Sequence, residues 1–447
     1  MASARRALKS GLQIPFIKRN PIKNLSTELS IPTHFRCPIS LELMKDPVTA
    51  PTGITYDRQN IETWLKLGNQ TCPVTNQALK NEDLIPNHSL RRMIQDWCVA
   101  HRSSGVERIP TPRIPVTPAQ VSELLSEIAS SSRHGDPRRC CELAAKITAL
   151  GRESERNRLC IVSCGSGRIL SNSFRELARG SAAVNSTTGV MEEILSALVG
   201  LFPLDSEAHG HVGAPESLES IVSILKTGDL AGKLNAALVL KELAASLDAE
   251  QINAVAETDG LIEALVKLVE KPVSPQTTKT SLVTTFYLVS SNESTAAKFV
   301  DMGLVSVLLE ILVDWEKSMY EKALGVLDAV LDYRRGREMA YGHSLTVPVL
   351  VKKMFRVSDM ATEFAVSALW KLGKNYKEEG GERAGEEGFL VQALEVGAFQ
   401  KLLLLLQVGC SGTTKEKASE LLKLLNGSRE RVECTETADF KGLKRPF

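Results

Sequence analysis

The chain has 447 residues, 43% of them hydrophobic, and its 54 Lys and Arg residues against 53 Asp and Glu residues leave a net charge of +1. This balance excludes a polycation or a polyanion, so bulk charge indicates neither nucleic-acid binding nor attraction to a membrane surface. The longest apolar run, at 402–406, falls well short of the roughly 20 residues of a membrane span, and nine unevenly spaced Cys residues are typical of reduced thiols in a soluble intracellular protein.

Residues 1–30 form a basic segment, because they carry six cationic residues against the single acid Glu28: Arg5, Arg6, Lys9, Lys18, Arg19 and Lys23. Transit peptides share this charge balance, but an apolar signal region is missing. We therefore expect a disordered basic lead-in, with a targeting or lipid-contacting role as the alternative. The expected location of the protein is the cytoplasm, with the nucleus or the periphery of a membrane as alternatives.

The first folded elements predicted along the chain are a β-hairpin and a helix. The runs 48–50 and 54–56 are β-prone and flank a turn at 51–53, where Gly53 supplies the positive φ that a tight turn needs. Asp57 then occupies an N-cap position. The helix after it carries apolar residues at helical spacing, namely Ile61, Trp64 and Leu65. Gly68 follows as its C-cap.

A second helix is predicted to close the small core of this region. It follows Pro86, and Asn87 provides the side-chain oxygen of an N-cap. Its apolar face consists of Leu90, Met93, Ile94 and Trp97. The stretch 31–101 is therefore expected to be a small α+β domain.

A count of ligands argues against a metal site in this stretch. Two zinc ions held by cross-braced loops need about eight Cys or His ligands, usually in Cys-x-x-Cys pairs. The stretch has no such pair, and its Cys and His residues are Cys37, Cys72, Cys98, His34, His88 and His101. We therefore expect neither a metal ion nor another cofactor.

The motifs of this stretch, in their order and spacing, resemble the U-box, the zinc-free relative of the RING finger that is found in E3 ubiquitin ligases. The motifs that carry the resemblance are 35–48, 53–58, 61–65, 72–75 and 84–87. The resemblance implies that hydrogen bonds and ion pairs pin the two loops that zinc holds in a RING finger. Candidate pins, each with a solvated surface group as its alternative role, are Glu42, Asp46, Asp57, Arg58, Thr75 and Asn76.

The resemblance also implies a surface that binds a ubiquitin-charged E2 enzyme. Its positions fall on Ile39 and Leu41 in the first loop, Trp64 on the helix, and Pro73 and Asn76 in the second loop. Leu41 and Trp64 have burial in the core as their alternative role, whereas Ile39 and Pro73 stand in polar, turn-like surroundings. Asn76 departs from relatives that carry a basic residue there, so its hydrogen bonding to the E2 and ubiquitin stays open.

A covalent ubiquitin carrier would need a nucleophilic cysteine, and Cys72 is the residue to weigh for that role. Pro73 follows it directly and no His lies nearby in the sequence, which argues against an activated thiol. The resemblance points the same way, because U-box proteins are scaffolds whose E2 supplies the cysteine. We therefore predict no catalytic residue on this chain.

Residues 102–119 are predicted to be an extended spacer between two modules, because four Pro residues interrupt a segment that also holds Ser103, Ser104 and Gly105. From 120 to 427 the pattern is helical and repetitive. The middle residues of successive apolar cores are 44, 43, 42 and 52 positions apart: Ile221, Leu265, Leu308, Leu350 and Leu402.

The period near 42 resembles armadillo repeats, with HEAT repeats as the second choice. A helix with a small residue follows each core, and the small residues are Ala236, Ser281, Ala323, Ala365 and Ala418. The residue four positions on is apolar except at Thr285. Armadillo repeats place Gly at the bend into the longest helix, as at Gly260, Gly303 and Gly397, but Leu345 stands there in the fourth core.

Two irregular stretches interrupt this pattern. The last step of the repeat is long because of an insertion at 377–388. The Gly and charge content of this insertion predicts a protruding loop rather than a binding site. Between 120 and 215 the repeat is degraded, and Cys160 and Cys164 are interpreted as core or near-core thiols rather than metal ligands because no partners follow at ligand spacing.

These observations predict a mainly α protein, in which a small zinc-free α+β U-box precedes an α-solenoid of armadillo-type repeats. The predicted ranges are a basic segment at 1–30, the U-box at 31–101, the linker at 102–119, the solenoid at 120–427 and a tail at 428–447. The resemblance implies an E3 ubiquitin ligase whose partners are an E2, ubiquitin and protein substrates on the repeats, with homodimerisation open. The alternative is a non-catalytic scaffold that uses the U-box for docking or dimerisation.

Overall fold

A computed structural model describes residues 31–79, 84–107, 109, 115–180, 184–314, 316–355, 357–376 and 388–439, with the backbone alone at 184–187 and 429–439. The chain divides into two compact units, Met1–Ile114 and Pro115–Phe447. The basic segment at 1–30 and most of the insertion at 377–388 lie outside the described residues.

Unit 1 is built on a small antiparallel sheet with two helices. The strands are β1 (Pro47–Thr49), β2 (Thr55–Asp57) and β3 (Ile85–Pro86), in the order β2-β1-β3. Val48 pairs with Tyr56 across the hairpin and with Pro86 on the other side. Gly53 has a φ of 80° in the turn, so the predicted hairpin and its glycine are confirmed.

Both helices predicted in unit 1 are present, as α1 (Arg58–Lys66) and α2 (His88–Ala100). Asn87 caps α2 as predicted, because its side chain accepts a hydrogen bond from the backbone N–H of Leu90. Asp57 occupies the N-cap position of α1, but its side chain makes no capping hydrogen bond. The expected local role of this carboxylate is therefore wrong, and its long-range role is described below.

The core of unit 1 contains residues from every part of 31–109. Tyr56, Ile61, Met44 and Ile94 are its largest fully buried side chains. Ile109, which falls in the predicted linker, is also buried against this core. A 3-10 turn at Arg102–Ser104 precedes it.

Unit 2 is helical in its described residues. In chain order the helices are α3 (Pro118–His134), α4 (Pro137–Glu153), α5 (Glu155–Ser163), α6 (Ser166–Arg179), α7 (Val184–Val199), α8 (Ser206–Val212), α9 (Pro215–Thr227), α10 (Leu230–Ser246), α11 (Ala249–Ala256), α12 (Leu261–Glu270), α13 (Pro275–Val289), α14 (Glu293–Asp301), α15 (Leu304–Asp314), α16 (Lys317–Val330), α17 (Arg334–Tyr341), α18 (Thr346–Lys353), α19 (Asp359–Asn375), α20 (Phe389–Glu395), α21 (Ala398–Val408) and α22 (Gly412–Asp439).

These helices repeat in threes from α5 onward, after the starting pair α3 and α4. The third helix of each repeat packs on the third helix of the next, from α4 through α7, α10, α13, α16 and α19 to α22. The small residues predicted for these helices are fully buried where the helices approach closely. The repeat was readable from the sequence because one apolar stripe recurs at nearly constant spacing.

The bends between the first and second helices of the repeats follow the glycine pattern. Gly260, Gly303 and Gly397 have φ values of 71°, 83° and 82°, in the left-handed region that favours glycine. Leu345 at the fourth bend instead has a φ of −82°. That bend is therefore made without left-handed backbone, as the absence of Gly requires.

The end of unit 2 differs from a simple tail, because α22 continues through 428–439. Among the described residues, no single helix is long and apolar enough to span a membrane. Helices α20 and α21 reach that length and composition only together, across a bend of 69°.

Candidate functional site

Two loops of unit 1 share one backbone design, and we call 36–43 the first loop and 71–78 the second loop. An isolated antiparallel bridge closes each of them, Arg36 with Leu43 and Thr71 with Ala78. In the first loop the Cys37 N–H donates to the Glu42 carbonyl, and the Leu41 N–H donates to the Cys37 carbonyl, both at 2.8 Å.

The second loop repeats this pattern at the same spacing. The Cys72 N–H donates to the Gln77 carbonyl at 2.8 Å, and the Asn76 N–H donates to the Cys72 carbonyl at 2.9 Å. Each loop carries Cys-Pro at its second and third positions and reaches left-handed backbone four residues after the Cys, at Leu41 (φ 60°) and Asn76 (φ 55°). Asn adopts this conformation readily, whereas a Leu there is strained.

Leu41 combines backbone strain with exposure. Its side chain is 68% exposed, so little burial offsets a left-handed conformation that costs an ordinary residue about 1–2 kcal/mol. Strained backbone that the surrounding structure maintains clusters at binding and catalytic sites. Core burial, the alternative role considered for Leu41, is therefore wrong.

Two buried thiols, one in each loop, are surrounded by hydrogen-bond donors. Cys37 Sγ accepts from the Asp57 N–H at 3.3 Å and from Asn60 Nδ2 at 3.5 Å. Cys72 Sγ accepts from Thr52 Oγ1 at 3.3 Å and lies 2.9 Å from the Tyr56 hydroxyl. These contacts fasten both loops to the hairpin and α1.

The thiol pKa values reflect these donors. Burial raises the pKa of Cys72, but hydrogen bonds from Thr52, Thr75 and Tyr56 outweigh it and lower that pKa to about 6. The pKa of Cys37 is lowered in the same way, against the effect of burial. Burial and the neighbouring Cys72 raise the pKa of the Tyr56 hydroxyl, so the phenol keeps its proton and donates.

Carboxylates supply the other pins. Asp46 Oδ2 pairs with Arg58 Nε at 2.8 Å, and Asp46 Oδ1 pairs with Arg91 from α2. Asp57 Oδ1 accepts from the backbone N–H groups of Lys45 and Asp46 at 2.7 and 2.8 Å. These contacts hold residues 45–46, just after the first loop, against β2, α1 and α2, so Asp46, Asp57 and Arg58 are paired groups and not solvated charges.

Of the remaining predicted pins, Thr75 and Asn76 make contacts in the second loop, and Glu42 does not act as a pin. Thr75 hydrogen bonds to Cys72 through both side chain and backbone, and Asn76 contributes its backbone N–H. The Glu42 side chain has no hydrogen bond or ion pair with another described residue of unit 1, so it is a solvated charge. The sequence reasoning missed Asn60 and Arg91, because each acts on a group far away in the chain.

Helix α1 joins the two loops through residues one turn apart. Asn60 Nδ2 donates to Ser40 Oγ of the first loop at 2.9 Å, and Trp64 Nε1 donates to the Thr71 carbonyl of the second loop at 2.9 Å. Because residues four apart share a helix face, one side of α1 faces both loops. The five candidate residues therefore lie on elements that are hydrogen bonded to one another.

The structure places the candidate side chains at different depths. Leu41 and Asn76 are exposed, whereas Ile39, Trp64 and Pro73 are half-buried. Ile39 and Trp64 pack partly on the core of unit 1, so each has both an inner and an outer face. Val74, at the position in the second loop that corresponds to Ile39, is exposed and was missed by the sequence reasoning.

No cluster of metal ligands occurs in the part of the chain that the structure describes. The Cys and His residues of unit 1 do not group there. The two loops are held by the hydrogen bonds and ion pairs given above.

Comparison with known proteins agrees with this geometry. The family model described as the U-box domain matches residues 31–103, and the model described as the plant U-box protein ARM repeat region matches 120–444. An Arabidopsis thaliana protein, U-box domain-containing protein 21, is 42% identical over 429 residues, covering 96% of this chain and 95% of that protein.

A second relative carries a function in its name. The E3 ubiquitin-protein ligase PUB23 of Arabidopsis thaliana is 33% identical over 411 residues, covering 90% of this chain and 94% of that protein. Among solved structures, an engineered protein from a structural genomics consortium matches 78% of this chain and 97% of its own, with a TM-score of 0.50 at 15% identity. The chain belongs to the plant U-box proteins with armadillo repeats.

Proposed function

We propose that this protein is an E3 ubiquitin transferase that binds a ubiquitin-charged E2 through the U-box and protein substrates through the armadillo repeats. The observation that carries the proposal is Leu41, a strained and exposed apolar residue on a loop that Asn60 hydrogen bonds to the helix carrying Trp64. Relatives of similar length named as E3 ubiquitin ligases support the activity. Small apolar surfaces on rigid loops suit a weak, exchanging partner.

The proposed chemistry takes place between the E2 and the substrate. A substrate lysine amine attacks the thioester carbonyl, an isopeptide bond forms, the carbon–sulfur bond breaks, and the E2 cysteine leaves as thiolate. This chain would raise the rate by holding the two reactants together in a reactive orientation. Preorganised loops are needed for this, because a mobile surface would lose the orientation.

Among its described residues, the U-box has no accessible cysteine that could carry ubiquitin in a covalent intermediate. Cys37 and Cys72 are fully buried and Cys98 is 1% exposed. The Cys72 sulfur faces Thr52 and Tyr56 in the interior, so it has no route to an E2 thioester. This supports transfer directly from the E2 to the substrate.

Autoubiquitination of the full chain with a panel of E2 enzymes tests the proposal. We expect laddering with at least one E2 and its loss in Ile39→Lys, because a charge in the contact would be desolvated without a partner. The matched control is Val99→Lys, an exposed apolar position on α2, which should transfer normally. Absence of transfer with every E2, from a folded chain, would favour the scaffold alternative.

A further inference from the structure

A cleft of about 500 Å³ lies near the end of unit 2, between the turn that leads into α19 and the junction of α21 with α22. Phe355, Leu405 and Val408 give it an apolar side, and Asp359 and Glu363 of α19 give it an acidic side. None of the described residues that line it is basic. Arg356 lies outside the described residues.

Phe355 is held in this cleft in a strained conformation. Its φ is 65°, and its backbone N–H donates to Thr362 Oγ1 at 3.2 Å, which fixes the turn. Its side chain is 41% exposed, so burial offsets only part of the roughly 1–2 kcal/mol that a left-handed conformation costs. Glycine would fit this backbone without strain, yet the position carries an aromatic ring.

This combination of strain and exposure is uncommon in the molecule. Among the described residues, the non-glycine positions with positive φ are Leu41, Asn76 and Phe355. Leu41 and Asn76 lie on the loops of the candidate E2 surface, and Asn adopts the conformation easily. Phe355 is therefore the counterpart of Leu41 in unit 2, and strain of this kind points to a binding role.

The acidic side of the cleft lacks compensating charge among the described residues. Asp359 and Glu363 are four apart on one face of α19, and neither has an ion pair with a described residue. Like charges at this spacing repel. The helix dipole stabilises Asp359 in the first turn, but its effect falls off before Glu363. Val408, 70% exposed, adds apolar surface beside them.

We propose that this cleft docks a short extended segment of a partner protein, in which a Lys or Arg side chain neighbours an apolar one. The apolar side chain lies against Phe355 and Val408, and the cation lies between the carboxylates of Asp359 and Glu363. The cleft volume is in the range of sites that hold a few side chains. The proposal deepens the proposed function, and it rests on that function only for the fate of the bound protein.

Peptide binding to the full chain tests this without E2 or ubiquitin. The probes are three fluorescein-labelled peptides of equal length: Gly-Arg-Leu-Arg-Phe-Gly, its version with Glu for Arg, and its version with Ser for Leu and Phe. Anisotropy should show binding of the first peptide, with an affinity that falls as salt rises. Binding of the acidic peptide as tightly as the first would overturn the proposal.

Charge variants locate the binding. The double variant Asp359→Asn with Glu363→Gln should weaken the first peptide about tenfold and remove its salt dependence. The matched control is Glu310→Gln with Asp314→Asn, an exposed acidic pair at the same spacing on α15 that does not line the cleft. Equal weakening by the two double variants would refute a specific site.

Phe355→Gly separates binding from folding. Because Gly relieves the left-handed backbone, the variant should remain as stable as the wild type by chemical denaturation while losing the first peptide. Loss of the fold would show that the ring is structural and would overturn its assignment. Binding with no autoubiquitination would refute the ligase proposal alone, and autoubiquitination with no binding would refute the cleft alone.

Discussion

Leu41→Gly is expected to weaken E2 binding and ubiquitin transfer strongly without harming the fold. Removing left-handed strain gains about 1–2 kcal/mol, and the greater chain entropy of Gly costs about 0.5–1 kcal/mol. Because the side chain is 68% exposed, its lost burial costs only about 0.5–1 kcal/mol more. The free energy of unfolding should therefore change by less than about 1 kcal/mol.

The effect on E2 binding should be larger than the effect on the fold. A Leu side chain that is desolvated in an interface contributes about 1.5–3 kcal/mol, which is about tenfold to a hundredfold in Kd. Titration of the full chain with an E2, and single-round discharge of the E2–ubiquitin thioester, measure this loss. Val99→Ala, at an apolar position on α2 that is 58% exposed, serves as the control and should leave both unchanged.

A comparison with Leu41→Ala isolates the strain. Alanine removes nearly the same contacts but keeps a Cβ at a φ of 60°, so it should be less stable than Gly by about 1 kcal/mol. In an ordinary helical or extended position the order would be reversed. Backbone strain at Leu41 is refuted if Leu41→Gly unfolds the U-box or if Ala is the more stable variant. A role of Leu41 in E2 binding is refuted if either variant discharges the E2 at the wild-type rate.

Three further predictions concern other parts of the chain. Chelation by EDTA should leave the helical signal and ubiquitin transfer intact, and zinc lost together with activity would contradict this. Thr285→Val should raise the free energy of unfolding by about 1–3 kcal/mol in chemical denaturation, because the buried Thr285 Oγ1 has no hydrogen-bond partner among the described residues. Thr284→Val should gain less, since Thr284 Oγ1 donates to the Thr280 carbonyl. Because folding lowers the pKa of Cys72 from 9.0 to about 6, the contribution of this thiol to the free energy of unfolding is fully present above pH 9 and is lost as the pH falls towards 6. Hydrogen exchange in the second loop, corrected for its intrinsic pH dependence, should therefore become slower as the pH rises from about 6 to 9. A Cys72→Ala variant with the same pH dependence of exchange would refute this role of Cys72.

The elements that sequence predicted well are those whose signals are local. The hairpin turn needs Gly53, the cap of α2 needs Asn87, and the bends of unit 2 need Gly260, Gly303 and Gly397. In each case one residue type is required by the backbone conformation or by an unpaired N–H group next to it. The armadillo period is visible because the same local pattern recurs.

The contacts that sequence did not predict are those between distant groups. Asp57 has the residue type and position of an N-cap, but the backbone of 45–46 takes its carboxylate instead. Arg91 reaches Asp46 from 45 residues away. Hydrogen-bond competition of this kind depends on which loop the fold brings close, and no spacing rule in the sequence encodes it.

The candidate surface was predicted by resemblance, and the backbone of Leu41 gives a physical reason for part of it. Sequence alone left Leu41 open between core and surface, because a leucine in a loop is compatible with both. The structure gives it left-handed backbone and an exposed side chain. Val74, exposed on the matching loop, could have been found from the Cys-Pro pair that the two loops share.

Buried thiols explain how these loops hold their strained geometry without a metal. A zinc ion would fix several ligands with strong bonds, whereas Cys37 and Cys72 each gather individually weak hydrogen bonds from neighbouring elements. Because Thr52, Tyr56, Asp57 and Asn60 belong to the hairpin or α1, moving either loop would break more than one contact at once. The rigidity that transfer from an E2 requires can therefore come from the hydrogen-bonded network, and strain at Leu41 persists because the surrounding bonds overdetermine the loop.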